Sequence, residues 1–199
     1  MTDVVQIPSI NSDRIIIFYI LHSQPRHNSL ILFQLRFVMN MVISEVFMRL
    51  RPDEEARLNN ILAPIKSDLR VQRMKNYIQH GRISTFDHVE SVTRLSFWIN
   101  KRLHIGADDR VLTIGAFLHD YYLYDWHVTN EGHGLHGFSH SNTAKENAIN
   151  DFGIGKRTQH VIESHMWPLN ITKVPKSRAA WIVCIADKCI STRETLLCR

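Results

Sequence analysis

Apolar residues recur at helical spacing along most of this chain, and turn-forming residues interrupt them at regular places. After Ser84-Thr85, the residues Phe86, Val89, Val92, Leu95, Phe97, Ile99 and Leu103 keep an approximate i, i+3, i+4 stripe until Gly106, which predicts a capped amphipathic helix. Asp108 or Asp109 can cap the next segment, Arg110 to Leu118, which is apolar on nearly every side and so is expected at the centre of the fold. Ser141 or Asn142 caps a further helix that ends at Gly153. Lys156 to Met166 supplies the next, stopped by Trp167-Pro168, and the last begins around Lys176-Ser177 and runs through Ala180, Val183 and Ile190. Upstream, Pro52 followed by Asp53, Glu54 and Glu55 reads as a helix first turn. Val71 to His80 reads as a short helix stopped by Gly81. The expected class is all-α. Between Tyr121 and Ser139 the pattern breaks into a Gly-, His- and aromatic-rich loop, longer than ordinary connections, which is expected to overhang a functional site.

The first forty residues hold neither a period of 2 nor one of 3.6; the pattern changes near Met39, and the texture becomes helical from Ser44 onward. The expected organisation is an N-terminal arm over residues 1–40 and one domain over 41–199. Two readings of the arm stay open: a segment, ordered or disordered, that belongs to the protein, or an over-extended start with initiation at Met39, Met41 or Met48.

Composition narrows the function classes. A length of 199 residues with 44% hydrophobic content is ample for one core. The longest early apolar run, Ile15 to Leu21, is far shorter than a membrane span, and Asp3 and Asp13 stand where a signal peptide would be basic, so neither membrane insertion nor export is expected. The three cysteines, Cys184, Cys189 and Cys198, form no C-x-x-C pair, which favours a reducing, cytoplasmic setting. A formal charge of +5 is spread along the chain without a basic block. It therefore points to no nucleic-acid partner and is compatible with a small anionic substrate.

The candidate chemistry lies in His119-Asp120, placed where the most apolar helix stops. His88 precedes this pair on a separate helix, and His140, His165 and Asp187 follow it, each on or beside its own helical segment. An aspartate inside a helix as apolar as the last one is costly unless something positive faces it. Imidazole and carboxylate together suit borderline divalent metals, with Fe or Mn favoured and Co, Ni, Zn or Mg also open. Four histidines and two aspartates exceed the needs of one tetrahedral ion. The natural partition is two ions: His88, His119, Asp120 and Asp187 on the first, and His140 and His165 on the second, with the Asp120 carboxylate bridging. His136, one helical turn before His140, competes with it as a ligand or touches substrate.

This order, H…HD…H…H…D, resembles the HD-domain metallohydrolase superfamily over Phe86 to Thr195, and the two extra histidines resemble its dinuclear branches. The contexts Leu118-His119-Asp120-Tyr121 and Ile185-Ala186-Asp187 look most like the compact bacterial phosphohydrolases, including the diadenosine tetraphosphate hydrolase-like branch. His165 is followed by Met166-Trp167-Pro168-Leu169, unlike the HD-GYP phosphodiesterases. The resemblance implies an HD-type helical bundle over 41–199. It also implies an enzyme that cleaves a phosphoester or phosphoanhydride of a small phosphorylated substrate, a nucleotide among the candidates, through a metal-bridging hydroxide, with His119 and Asp120 at the catalytic centre. The same ligand set resembles the myo-inositol oxygenase-like branch, which leaves a di-iron oxygenase as an alternative. A non-catalytic metal-binding regulatory module is a third reading.

Residues expected near the substrate are the loop histidines His127 and His133, suited to general acid work near neutral pH, together with His136. Lys173, Lys176 and Arg178 could receive a distal phosphate. Trp126 and Trp167 could stack a base, whereas Trp181 is expected in the core. The oligomeric state is not legible in the chain.

Overall fold

A computed structural model describes residues 49–125 and 136–197, without the side chains of 136–138 and 196–197. Seven α-helices and one two-stranded hairpin account for its regular structure among the described residues, an all-α bundle as the periodicity predicts. The boundary expected near residue 40 and the helical texture from Ser44 lie outside the described residues.

Helix α1, Pro52–Lys66, starts as its sequence dictates, with Pro52 in the first turn, Asp53, Glu54 and Glu55 behind it, and Glu54 Oε2 accepting from Arg51 N at 2.9 Å. A short helix α2, Leu69–Gln72, and a 3-10 turn, Arg73–Asn76, follow. The helix expected over Val71 to His80 therefore ends early. Ile78–His80 is instead strand β1, paired antiparallel with β2, Ile83–Ser84, and Gly81 takes φ +56° in the turn between them. A Gly that would stop a helix serves a tight hairpin equally well, since both need the left-handed conformation.

Ser84 then caps α3, Thr85–Arg102, its hydroxyl accepting from Asp87 N. Asp108 caps α4, Asp109–Leu118, accepting from Arg110 N and Val111 N. Helix α4 packs against α1, α3, α6 and α7, which explains why it is apolar all round. Its Ile114, Phe117 and Leu118 join a core with α1 and α5, while Leu112 and Ala116 join a second cluster built with α7. At Gly115 the approach to α6 is so close that a Cβ would lie 2.6 Å from Val161 Cγ1.

Helix α5, His136–Phe152, begins nearly two turns earlier than the Ser141 or Asn142 cap predicted, so His140 lies inside the helix and not ahead of it. Helix α6, Lys156–Ser164, follows Gly153 and stops two residues sooner than expected, leaving His165 as its C-cap. Helix α7, Arg178–Leu197, is preceded by Ser177, whose hydroxyl accepts from Ala180 N. Trp181 is 39% exposed and stands edge-on to Trp167 at 5.1 Å, which corrects its expected place in the core. No helix among the described residues is long and apolar enough to cross a membrane.

Candidate metal centre

Five elements deliver the six predicted ligands to one buried point. His119 and His165 reach it by the same local device. Each is the residue that caps a helix at its C-terminal end, where carbonyls lack helical partners, and each ring turns back onto its own helix. His119 Nδ1 lies 2.7 Å from Ala116 O and His165 Nδ1 lies 2.7 Å from Ile162 O. In the neutral imidazole this makes Nδ1 the N–H and leaves Nε2 as a lone pair aimed away from the helix.

His88 comes from the first turn of α3 and is buried, its Nδ1 lying 2.8 Å from Glu194 Oε2. Asp187 comes from the middle of α7, and Ser191 Oγ donates to its Oδ1 at 3.1 Å. His140 comes from the second turn of α5, with Nε2 3.0 Å from His165 Nε2.

Asp120 sits between these groups with its two oxygens turned to different histidines. Oδ2 lies 3.4 Å from His119 Nε2 and 3.8 Å from His88 Nε2. Oδ1 lies 3.4 Å from His140 Nε2 and 3.5 Å from His165 Nε2. Asp187 Oδ1 closes the first side, at 3.3 Å from His88 Nε2 and 3.7 Å from His119 Nε2. Asp120 itself is held by Gln79 on β1, whose Nε2 donates to Oδ2 at 2.7 Å. The Gln79 carbonyl in turn accepts from the Tyr122 hydroxyl and, at 3.3 Å, from Thr85 Oγ1, so the amide is oriented from both ends. Asn147 on α5 donates to the carbonyls of Tyr121 and Tyr122 and pins the chain just after the pair.

The electrostatics follow from so many ionisable groups in a dry place. Burial opposes a charged imidazole at His88, but Asp187 and Glu194 outweigh it and raise its pKa to about 9. Burial opposes the charge of His119 as well, yet Asp120 and Asp187 raise it to about 10. His165 is pushed the other way, to about 3, by burial and the neighbouring His119. Burial would raise both aspartates, but the facing imidazoles, His119 first in each case, hold Asp120 and Asp187 well below the usual carboxylate range.

Whether these residues fit a metal can be judged from their unmet bonding. His88 Nε2, His119 Nε2 and Asp120 Oδ1 are buried and have no hydrogen-bond partner, which is uncommon for buried polar atoms. His88, His119 and Asp187 offer ligand atoms within 4.8 Å of one another, and so do His119, Asp120 and His165. Lone pairs and carboxylate oxygens converging without donors are what a divalent cation requires, and this buried His and Asp cluster could hold a metal ion.

The other predicted residues are placed differently. His127 and His133 lie outside the described residues, and of His136 only the backbone is described, at the start of α5. Lys173 lies 3.3 Å from Glu163 Oε2, which Lys145 Nζ also approaches at 3.3 Å, and Lys176 N donates to His160 Nε2 at 2.9 Å. Arg178, at the start of α7, stands against Gly106 in the connection before α4. The ten residues of α4 lie between that connection and His119. Lys173 is thus engaged in an ion pair with Glu163, and Arg178 in packing at the connection before α4.

Three participants escaped the sequence reading. Glu194 follows Asp187 by seven residues, about two helical turns, so a shared face was available as a signal. Gln79 carried none, because its segment read as helix. Lys188 follows Asp187 directly and so sits about 100° round the helix from it, yet its Nζ lies 3.8 Å from Asp187 Oδ2 while donating to His165 O at 2.8 Å. A long flexible side chain can swing over an adjoining face, and the half-exposed Lys188 thereby sets a cation beside Asp187.

Comparison with protein-family models, with curated proteins and with solved structures finds no match to this chain.

Proposed function

We propose that the protein is a metal-dependent phosphohydrolase that cleaves a phosphoester or phosphoanhydride of a small phosphorylated substrate, with nucleotides among the candidates. The observation that carries this reading is the division of the histidines by Asp120. One carboxylate oxygen faces His88 and His119 together with Asp187, and the other faces His140 and His165, which is the arrangement a bridging ligand between two cations needs. A pair of divalent ions there, Fe or Mn by the ligand chemistry, would supply an activated water and neutralise phosphoryl oxygens.

The chain's own groups do the rest. Asp120 keeps the two ligand sets in register, and Gln79 keeps Asp120 from rotating. The carbonyls of Ala116 and Ile162 hold His119 and His165 with Nε2 inward. Lys188 brings a positive charge to the rim, where a substrate phosphate could be received. Cytoplasmic residence fits the free thiols of Cys184 and Cys189.

The test is elemental analysis of wild type and His140→Ala, alongside release of phosphate or nucleoside monophosphate from a panel of phosphoesters. Two metal equivalents in wild type, falling to one or fewer in the variant with activity lost, is the expected result. One equivalent or none, unchanged by the substitution, would overturn the dinuclear reading. Oxygen uptake in place of phosphate release would transfer the site to the oxygenase class.

A further inference from the structure

Each histidine that offers Nε2 to the cluster has to be held by its other nitrogen if the ring is to keep its aim. His119 and His165 find that partner on their own helices, because the Ala116 and Ile162 carbonyls sit in last turns where no helical N–H competes for them. His88 has no such recourse. It stands in the first turn of α3, where the carbonyl three residues back, that of Thr85, belongs to the α-helical ladder. Its acceptor has to come from another element, and the fold supplies one 106 residues away: Glu194, 3% exposed, with Oε2 2.8 Å from His88 Nδ1.

We infer that Glu194 is a positioning residue of the metal centre, accepting the Nδ1–H of His88 so that Nε2 is fixed toward Asp187 and Asp120 and made a stronger ligand. The inference rests on reading the six side chains as metal ligands. An anionic acceptor does more than a carbonyl can: it fixes the tautomer, orients the ring and raises the electron density available at Nε2. Helix α7 thus contributes twice from one face, a ligand at Asp187 and an orienting group about two turns later at Glu194. His80 on β1 closes the outer side of the pair, its ring edge-on to that of His88 at 5.7 Å and 83°. Because His80, His88 and Glu194 also offer ligand atoms within 4.8 Å of one another, the rival role for Glu194 is direct ligation, and the test has to separate the two.

Chelator-treated full-length protein is titrated with cobalt(II), following its visible absorption, for wild type, Glu194→Gln, Glu194→Asp and His88→Ala. The expected result for Glu194→Gln is an unchanged stoichiometry, a shifted spectrum and affinity weakened about 10- to 100-fold at the His88 side. Glu194→Asp, which keeps the charge on a shorter arm, recovers part of that affinity and serves in its place if Glu194→Gln does not fold. Added to His88→Ala, Glu194→Gln causes no further loss, because it acts through that ring. A Glu194→Gln titration and spectrum matching wild type would overturn the inference, as would the loss of one whole equivalent, which would make Glu194 a ligand. If wild type binds cobalt but releases no phosphate from any ester, the hydrolase reading fails and the role of Glu194 stands; if it binds no cobalt, both fail.

Discussion

At the start of α1, Glu54 is buried and both its oxygens are claimed, by Arg102 Nη1 at 2.9 and 3.0 Å, by Arg51 at 3.0 Å and by the Arg51 backbone N–H. Asp120, just past the end of α4, and Asp187, within α7, are as deeply buried, but they face histidines, and three of the inward atoms there have no partner. Both regions put carboxylates where water cannot reach them. In the first, the protein carries its own permanent cations, and the result is a staple between the N-terminus of α1 and the C-terminal end of α3. In the second, apart from Lys188 at 3.8 Å from Asp187, the partners are titratable imidazoles, so the rest of the neutralisation is left to protons or to something from solution. A buried charge that is satisfied belongs to the architecture, whereas one held by groups that are themselves unsatisfied marks a site.

The contrast is broken most sharply by substituting one carboxylate or its partner in each region. On the proposed dinuclear reading, Asp120→Asn is expected to lower phosphate release by more than about 100-fold and to remove metal, because the amide has no charge and keeps only one oxygen while the backbone stays in place. Elemental analysis with the phosphoester assay checks it, and an Asp120→Asn variant that keeps both metal and activity would refute the bridging role.

Arg102→Met has the opposite signature. It leaves Glu54 buried with one guanidinium fewer and is expected to cost about 2–3 kcal/mol in chemical denaturation, somewhat less than a fully broken buried pair because Arg51 remains. Metal content of the folded variant should be unchanged. A loss of metal there would show that the two regions are coupled through α3, which carries both Arg102 and His88.

The third test, the smallest in effect, is the pH profile of stability with and without chelator. His88 and His119 have folded pKa values raised to about 9 and about 10 against ~6.5 when unfolded, so their contribution is complete below ~6.5 and lost as pH rises through 9 to 10. His165, lowered to about 3, works on the other side: between ~6.5 and 3 the unfolded chain takes a proton that the folded one refuses, and stability falls as pH drops. Chelated protein should therefore be most stable near the middle of this range and should weaken on the alkaline side. With metal bound, the alkaline loss should vanish, because neutral imidazoles are then the bound form. Glu54, lowered by its arginines despite burial, contributes on the acid side whether or not chelator is present. Melting curves across pH read all of these, and an alkaline limb indifferent to chelator would remove the cluster as its cause.

Much of the helical framework was visible in advance where local chemistry and packing agree. The Ser84 and Asp108 caps, the proline start of α1 and the all-round apolarity of α4 each follow from neighbouring residues. The hairpin over Ile78–Ser84 was not visible, since a short run ending in Gly satisfies a helix stop and a β-turn alike, and only its packing beside α3 and α7 decides between them. The start of α5 was misplaced as well: Ser141 is a good cap by local chemistry, yet the helix runs back to His136.

Within the site, ligand types and their order were properties of the sequence, because chain position and helical period require no knowledge of neighbours. His119 and His165 were even aimed by it, each ring held by a carbonyl three residues back. What the tertiary structure alone decided is which nitrogen of His88 faces inward, which oxygen of Asp120 serves which histidines, and that Glu194, Gln79 and Lys188 belong to the centre at all. These depend on contacts between elements 20 to 106 residues apart, and such contacts are set by how whole helices pack rather than by anything a short window of chain contains.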